Sequence, residues 1–334
     1  MKVLVTGGAG FIGSRYTRLL LGDRLPGHTG DRVTVLDKLT YAGHRDNLPL
    51  AHPRLRFVHG DVCDARLLRD LLPGHDAVLH FAAESHVDRS VRSGAAFVHT
   101  NVLGTQTVLE AARAAKVARV VHVSTDEVYG SIDTGRWTEE WPLAPNSPYA
   151  ASKAGADLIA RSYWRTHGLD VCVTRCSNNY GPRQHPEKLI PLFVTNLLEG
   201  LPVPLYGDGR NVREWLHVDD HCRALQLVLD SGVAGEVYNV GGGDGTTNRD
   251  LTMRLLELVG AEASMIRQVA DRKGHDRRYA MDDRKIRRDL GYAPQVPLGR
   301  GLAETVAWYR DRPDWWKPLK HRPPATTRKE AGHD

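Results

Sequence analysis

The chain has 334 residues, a formal net charge of +5 and 41% hydrophobic residues, enough for one large domain or two closely joined ones with a sizeable core. No apolar run reaches membrane-spanning length, no clustered basic face suits nucleic acid, and the first strand starts too early to leave room for a signal peptide, so the cytoplasm is the expected compartment. Cys63, Cys172, Cys176 and Cys222 lack metal-ligand spacing and are expected to stay reduced; no metal is expected.

The first predicted strand, 2–6, runs into Thr6-Gly7-Gly8-Ala9-Gly10-Phe11-Ile12-Gly13 and then a helical pattern to Leu21. Between a strand and a helix, Gly7, Gly10 and Gly13 provide the tight turn, the close backbone approach to a pyrophosphate and the close helix packing of a dinucleotide site. The next strand, 32–36, ends at Asp37, where a carboxylate accepts from the adenosine ribose and repels a 2′-phosphate. NAD is therefore expected over NADP, with Lys38 weakening the discrimination.

Further strands are predicted near 55–58, 77–81, 119–124 and 170–175. Between them, helical spacing runs through Phe97, Val98, Val102, Thr105, Leu109 and Ala112, and again from Tyr149 to Tyr163. This alternation predicts an α/β fold with a doubly wound, Rossmann-type parallel sheet. The two helices can serve as core alone or pair across a homodimer, near 94–115 and 149–166. After about 175 the elements shorten around loops such as Gly200-Leu201-Pro202-Val203-Pro204. The expected division is an NAD-binding domain over 1–175 with later segments returning to it, a smaller mixed α/β substrate domain over 176–316, and a flexible basic tail over 317–334.

The most informative stretches are Ser124-Thr125-Asp126-Glu127-Val128-Tyr129-Gly130 and Tyr149-Ala150-Ala151-Ser152-Lys153. Tyr149 and Lys153 fall one helical turn apart, so the ammonium is expected to lower the phenol pKa, as hydride-transfer chemistry requires. Adjacent carboxyls at a strand end suit the movement of other protons, although a cap and a surface charge give the same pattern. Together they point to an oxidoreductase that also eliminates something. Arg210, Arg213, Arg272, Lys273, Arg277 and Arg278 suit either a phosphorylated ligand or ordinary solvated surface.

With these stretches, Leu39-Thr40-Tyr41-Ala42-Gly43, Phe81 to Ser90, Asn178-Asn179-Tyr180-Gly181-Pro182, Gly207 to Trp215 and Gly274 to Tyr279 appear in order. The chain to about residue 316 thereby resembles the extended short-chain dehydrogenase/reductases and, within them, the dTDP-glucose 4,6-dehydratases. The resemblance implies that Tyr149 is the base at the sugar 4-hydroxyl, with Lys153 also binding the nicotinamide ribose. It makes Glu127 the C5 base, Asp126 the acid for the departing 6-hydroxyl, and Thr125 a partner of the 4-hydroxyl.

Cofactor contacts are implied at Phe11, Ile12, Asp37, Lys38, Thr40, Asp61, Val62, Phe81, Ala82, Ala83, Ser85, Thr100, Tyr149, Lys153 and Asn178, with Asp61 and Val62 as the adenine pair. Glu84 and Ser85 are implied to face the glucose, beside a His86 that either titrates or simply packs. The nucleotide half is implied to rest on Asn179, Lys188, Leu189, Pro204, Tyr206, Arg213, Asn248, Arg272, His275 and Tyr279. Arg213 and Arg272 offer planar forks for a pyrophosphate, and Pro204 and Tyr206 belong beside the pyrimidine. One departure is Lys273, where many relatives carry Pro.

Other readings share parts of this pattern. A UDP-hexose 4-epimerase shares the cofactor site and Tyr149/Lys153 but has no use for Asp126-Glu127. A CDP-glucose or GDP-mannose dehydratase differs only in the nucleotide pocket. A catalytically silent NAD-binding regulator has no reason to keep all five reactive residues. The chain serves antibiotic deoxysugar supply and cell-surface polymer synthesis equally well.

Overall fold

A computed structural model describes residues 1–243, 245–272 and 274–321. Lys273 and residues 322–334 therefore lie outside the described residues. Seven strands form the main sheet: β1 (Lys2–Thr6), β2 (Arg32–Asp37), β3 (Leu55–His59), β4 (Ala77–His80), β5 (Arg119–Thr125), β6 (Val171–Cys176) and, much later in the chain, Val237–Val240. The six predicted strands are all present, within a residue or two of their expected limits. All pairings are parallel, in the spatial order β3-β2-β1-β4-β5-β6 with Val237–Val240 beside β6. Most central strands are buried on both faces, so they read as continuous apolar runs.

The chain reverses direction across the sheet between β1 and β4, the switch point at which open α/β sheets bind their ligands. Separate buried clusters pack the two faces. One holds Val3, Val5, Tyr16 and Leu225, and the other holds Leu4, Leu36, Val108 and Val173. Helix Pro148–His167 starts on a Ser147 cap, whose hydroxyl accepts from the Ala150 amide at 3.1 Å, with Pro148 at its first turn. Its start is thus fixed, and Tyr149 and Lys153 with it.

Beyond β6 the chain builds smaller sheets. β7 (Asn178–Tyr180) pairs in parallel with β9 (Val212–His217), while β8 (Val203–Tyr206) pairs with a later strand, Ile266–Val269. A third core of Ile190, Phe193, Leu251, Leu302 and Trp316 lies beneath them. The tail expected over 317–334 is corrected at its start, because Lys317–Lys320 end the helix Pro313–Lys320, and residues 322–334 lie outside the described residues. Buried Trp316 and a 2.6 Å pair between Lys320 and Glu199 hold this helix down. Among the described residues, no helix is long and apolar enough to cross a membrane.

Candidate active site

The Gly7 backbone adopts φ +67°, and a Cβ there would meet the Ala82 amide nitrogen at 2.6 Å, so the first βα turn admits only glycine. The glycine turn therefore lies directly against the segment after β4. At the end of β2, the Asp37 carboxylate accepts from the Ala9 amide at 2.9 Å and the Leu39 amide at 2.7 Å, which fixes it at the cavity wall. Burial nevertheless pushes its pKa up. Lys38 turns away to pair with Asp61 at 2.6 Å, so its charge is already matched and offers little to a 2′-phosphate. The Asp61, Cys63 and His99 donor atoms lie within 4.8 Å of one another. Lys38 pairs with the Asp61 carboxylate, and the Cys63 thiol donates to the His99 backbone carbonyl at 3.3 Å.

A continuous cavity of about 320 Å³ runs from this turn across the sheet to β5, a size in the range of small-molecule sites. Every residue expected at the cofactor lines it, from Gly7, Gly10, Phe11, Ile12 and Gly13 through Thr100 and Asn178. Thr125, Asp126, Glu127, Tyr149 and Lys153 line the same cavity, as do Glu84, Ser85, Asn179 and Lys188. The glycine cradle and the Asp37 acceptor suit a dinucleotide without a 2′-phosphate.

Asp126 and Glu127 do not continue β5. They open a 3-10 turn, Asp126–Tyr129, whose start is capped by the Thr125 hydroxyl accepting from the Glu127 amide at 3.3 Å. The pair, placed at a strand end by the sequence, therefore takes the geometry of a turn. Burial pushes the Asp126 carboxyl well up, and the neighbouring Glu127 and Glu214 push it further. Glu127 is also raised by burial, but Arg272, Lys188 and Arg213 oppose that shift.

The expected lowering of the Tyr149 phenol is not what the chain alone gives. Burial and the Glu127 carboxylate push it well up, and its hydrogen-bond partner is Thr125. Lys153 lies fully inside and donates to the Val123 carbonyl at 2.8 Å. Burial lowers its pKa to about 8, while Asp157 and Cys176 hold it up. The Phe97 ring meets Tyr149 edge-on at 6.3 Å and fixes the plane of the phenol.

Most of the residues expected at the nucleotide half do not line this cavity; they come from the C-terminal segments around Glu127. Arg213 stacks over Tyr279 at 4.0 Å and donates to the Asp276 carbonyl at 2.8 Å. The His275 ring meets Tyr206 edge-on and shares a 2.6 Å contact with Asp271. Arg272 stands 3.8 Å from Asp88, with its Nε buried and unpartnered, and the Asn248 side-chain Oδ1 is buried without a partner as well. Pro204 and Tyr206 share β8, and Leu189 starts helix Leu189–Leu198. Of the remaining basic residues, Arg277 is exposed and paired with Asp208, and Arg278 donates to the Gly135 carbonyl. His86 caps helix Val87–Arg92 near Glu187, and burial lowers its pKa.

One positioning residue escaped the sequence reading. Asn101 donates to the Glu84 carbonyl at 3.0 Å, accepts from the Glu84 amide at 2.8 Å and donates to the Ser152 hydroxyl at 2.8 Å. It thereby joins the Glu84 segment to the Tyr149 helix. It sits on a π-helical turn, Val98–Leu103, that apolar spacing does not reveal. Glu214 beside Asp126 was also missed; it is buried and paired with Arg136 at 2.6 Å.

Residues 4–305 match the family described as GDP-mannose 4,6 dehydratase. The chain is 60% identical over 328 residues to a dTDP-glucose 4,6-dehydratase of Streptomyces niveus, covering 98% of each chain. It is similar to the crystal structure of DesIV, a dTDP-glucose 4,6-dehydratase of Streptomyces venezuelae with NAD bound, at a TM-score of 0.94 and 64% identity, over 96% of this chain and 100% of that one. A UDP-glucose 4-epimerase of Thermotoga maritima with UDP-glucose reaches a TM-score of 0.86 at 33% identity, over 93% of this chain and 99% of the other.

Proposed function

The chain belongs to the nucleotide-sugar 4,6-dehydratases, and we propose that it converts dTDP-D-glucose to dTDP-4-keto-6-deoxy-D-glucose and water, with NAD as its cofactor. The observation that carries this is one cavity lined by both Tyr149/Lys153 and Asp126/Glu127. An epimerase has the same fold and uses the first pair, so the second pair decides.

Bound NAD takes a hydride from C4 and returns it to C6, and its positive nicotinamide favours the Tyr149 phenolate. Tyr149 removes the proton of the 4-hydroxyl, with Thr125 between it and Asp126. The C5 hydrogen, now beside a ketone, becomes acidic, and Glu127 takes it. Asp126, kept protonated by burial and by its two acidic neighbours, gives its proton to the 6-hydroxyl, which leaves as water. Glu127 then returns its proton to C5. Lys153 stays charged below about pH 8 and holds the nicotinamide ribose.

Arg213 and Arg272 hold the pyrophosphate, and Pro204 and Tyr206 border the pyrimidine, within a part of the chain, chiefly 176–316, given to the nucleotide sugar. A homodimer pairs the helices near 94–115 and 149–166, on which Val98, Leu103 and Leu158 stand 56%, 45% and 57% exposed. A sedimenting monomer at working concentration counts against it. The compartment is the cytoplasm.

The deciding experiment incubates the enzyme with dTDP-, UDP-, CDP- and GDP-hexoses and weighs the products. Loss of 18 mass units from the dTDP sugar in preference to the others is expected for loss of one water. A product of unchanged mass overturns the dehydratase reading, and preference for another base overturns the nucleotide.

A further inference from the structure

Three segments distant in sequence meet beside the cavity: the loop after β2, the stretch from Ser85 to Arg89, and the stretch from Gln184 to Lys188. The Arg89 guanidinium lies 3.7 Å from the centroid of the Tyr41 ring. The same guanidinium reaches the Glu187 carboxylate at 3.2 Å, and His185 meets the Tyr41 ring edge-on at 5.5 Å. Lys188 closes the arrangement by donating to the Ser85 carbonyl at 2.9 Å.

Tyr41 and Arg89 do not line the cavity, yet their neighbours Thr40, Ala42, Ser85 and His185 do. The contacts therefore tie three walls together from outside. We propose that Tyr41, Arg89 and Glu187 form a clasp that sets how long NAD stays in its site. Tyr41 and Arg89 act from outside the cavity as positioning residues, while Glu187 also lines its wall.

The chemistry gives such a clasp a purpose. A hydride removed from C4 must come back to the same sugar, so a cofactor that left midway would strand an oxidised intermediate. An ion pair as exposed as Arg89–Glu187 contributes little alone, with Arg89 48% exposed. A guanidinium over a ring contributes more, and part of that energy is lost whenever the walls separate.

The clasp rests on the hydride-return reaction proposed above, but its test needs no turnover. Holoenzyme is desalted into cofactor-free buffer, and NAD remaining on the protein is measured over time after acid release. Arg89→Ala and Tyr41→Leu are expected to release NAD roughly tenfold faster than the parent, equivalent to about 1.4 kcal/mol. Tyr41→Phe keeps the ring under the guanidinium but loses the hydroxyl beside Glu187 and Ser85, so it is expected to release NAD at a rate between those of the parent and Tyr41→Leu. Parental release from Arg89→Ala overturns the clasp, and so does a Tyr41→Phe variant as leaky as Tyr41→Leu. Arg89 is solvent-facing, so its variant folds independently of how the half-buried Tyr41 ring tolerates change. Since no sugar is present, failure here is distinguishable from failure of the substrate reading.

Discussion

Asp126 and Glu127 stand side by side on one turn, yet different charges face them. Asp126 looks onto the carboxylates of Glu127 and Glu214, whereas Glu127 looks onto Arg272, Lys188 and Arg213. Burial raises both pKa values; the facing charges add to the rise at Asp126 and oppose it at Glu127, which suits the first to act as an acid and the second as a base. Replacing Glu127 with Gln removes the base and leaves C4 oxidation intact. The variant is expected to lose roughly 10²–10⁴-fold in kcat, to build up enzyme-bound NADH seen by its absorbance, and to take up no deuterium at C5. Unimpaired exchange removes Glu127 from that role.

Asp126→Asn tests the acid through stability as well as rate. A carboxyl whose folded pKa is raised loses stability as pH climbs above its unfolded value near 4, because the folded state keeps a proton that the unfolded state has released. Asn carries no such proton. Its melting temperature is expected to match the parent at pH 4 and exceed it at pH 8, by about 2 °C, while water loss slows. Equal melting temperatures at both pH values contradict a protonated Asp126.

The basic limb of the pH profile belongs to Lys153. Burial favours its neutral form, so its ammonium is lost as pH rises through about 8 rather than near its ordinary value. Asp157 on the same helix, Cys176 on β6, and His80 and His122 on β4 and β5 are the titratable groups around it. The rate of C4 oxidation is expected to fall above pH 8, and Lys153→Met is expected to be slow with that limb absent. A limb that survives in Lys153→Met assigns it to another group.

Asp37 tests cofactor choice. Its carboxylate is fixed by two backbone amides, and the adjacent Lys38 is held by Asp61. Asp37→Ala is expected to weaken NAD binding by about tenfold, as the loss of a charged hydrogen bond implies, and to narrow the preference over NADP. Titration calorimetry with both dinucleotides reads this, and an unchanged preference assigns discrimination elsewhere.

The cofactor half of the site was legible in the sequence because parallel strands are apolar along their whole length, and because Gly7 and Asp37 end two of them. Tyr149 and Lys153 were legible for a similar reason, since their spacing matches a helix whose start Ser147 and Pro148 fix. The charge state of Tyr149 was not legible. It depends on burial and on Glu127, which approaches from a turn on another element. The nucleotide half was legible only by resemblance, because Arg213, Tyr279, His275 and Tyr206 meet through β8, β9 and the segment after 270, and no local pattern encodes that meeting.

Asn101 is the residue that pattern reading hid most completely, and it makes the sharpest structural prediction. Its side chain satisfies both the amide and the carbonyl of Glu84 and also holds the Ser152 hydroxyl, all within a buried environment. Asn101→Ala leaves the Glu84 amide and carbonyl without these partners, at a cost of about 1–3 kcal/mol, measurable as a lower urea midpoint, while the Ser152 hydroxyl still donates to the Tyr149 carbonyl. Because Asn101 touches the Glu84 segment and the Tyr149 helix rather than the reacting groups, KM is expected to rise more than kcat falls. A variant with normal KM and stability would show that Glu84 is held in place by the glycine turn and β4 alone.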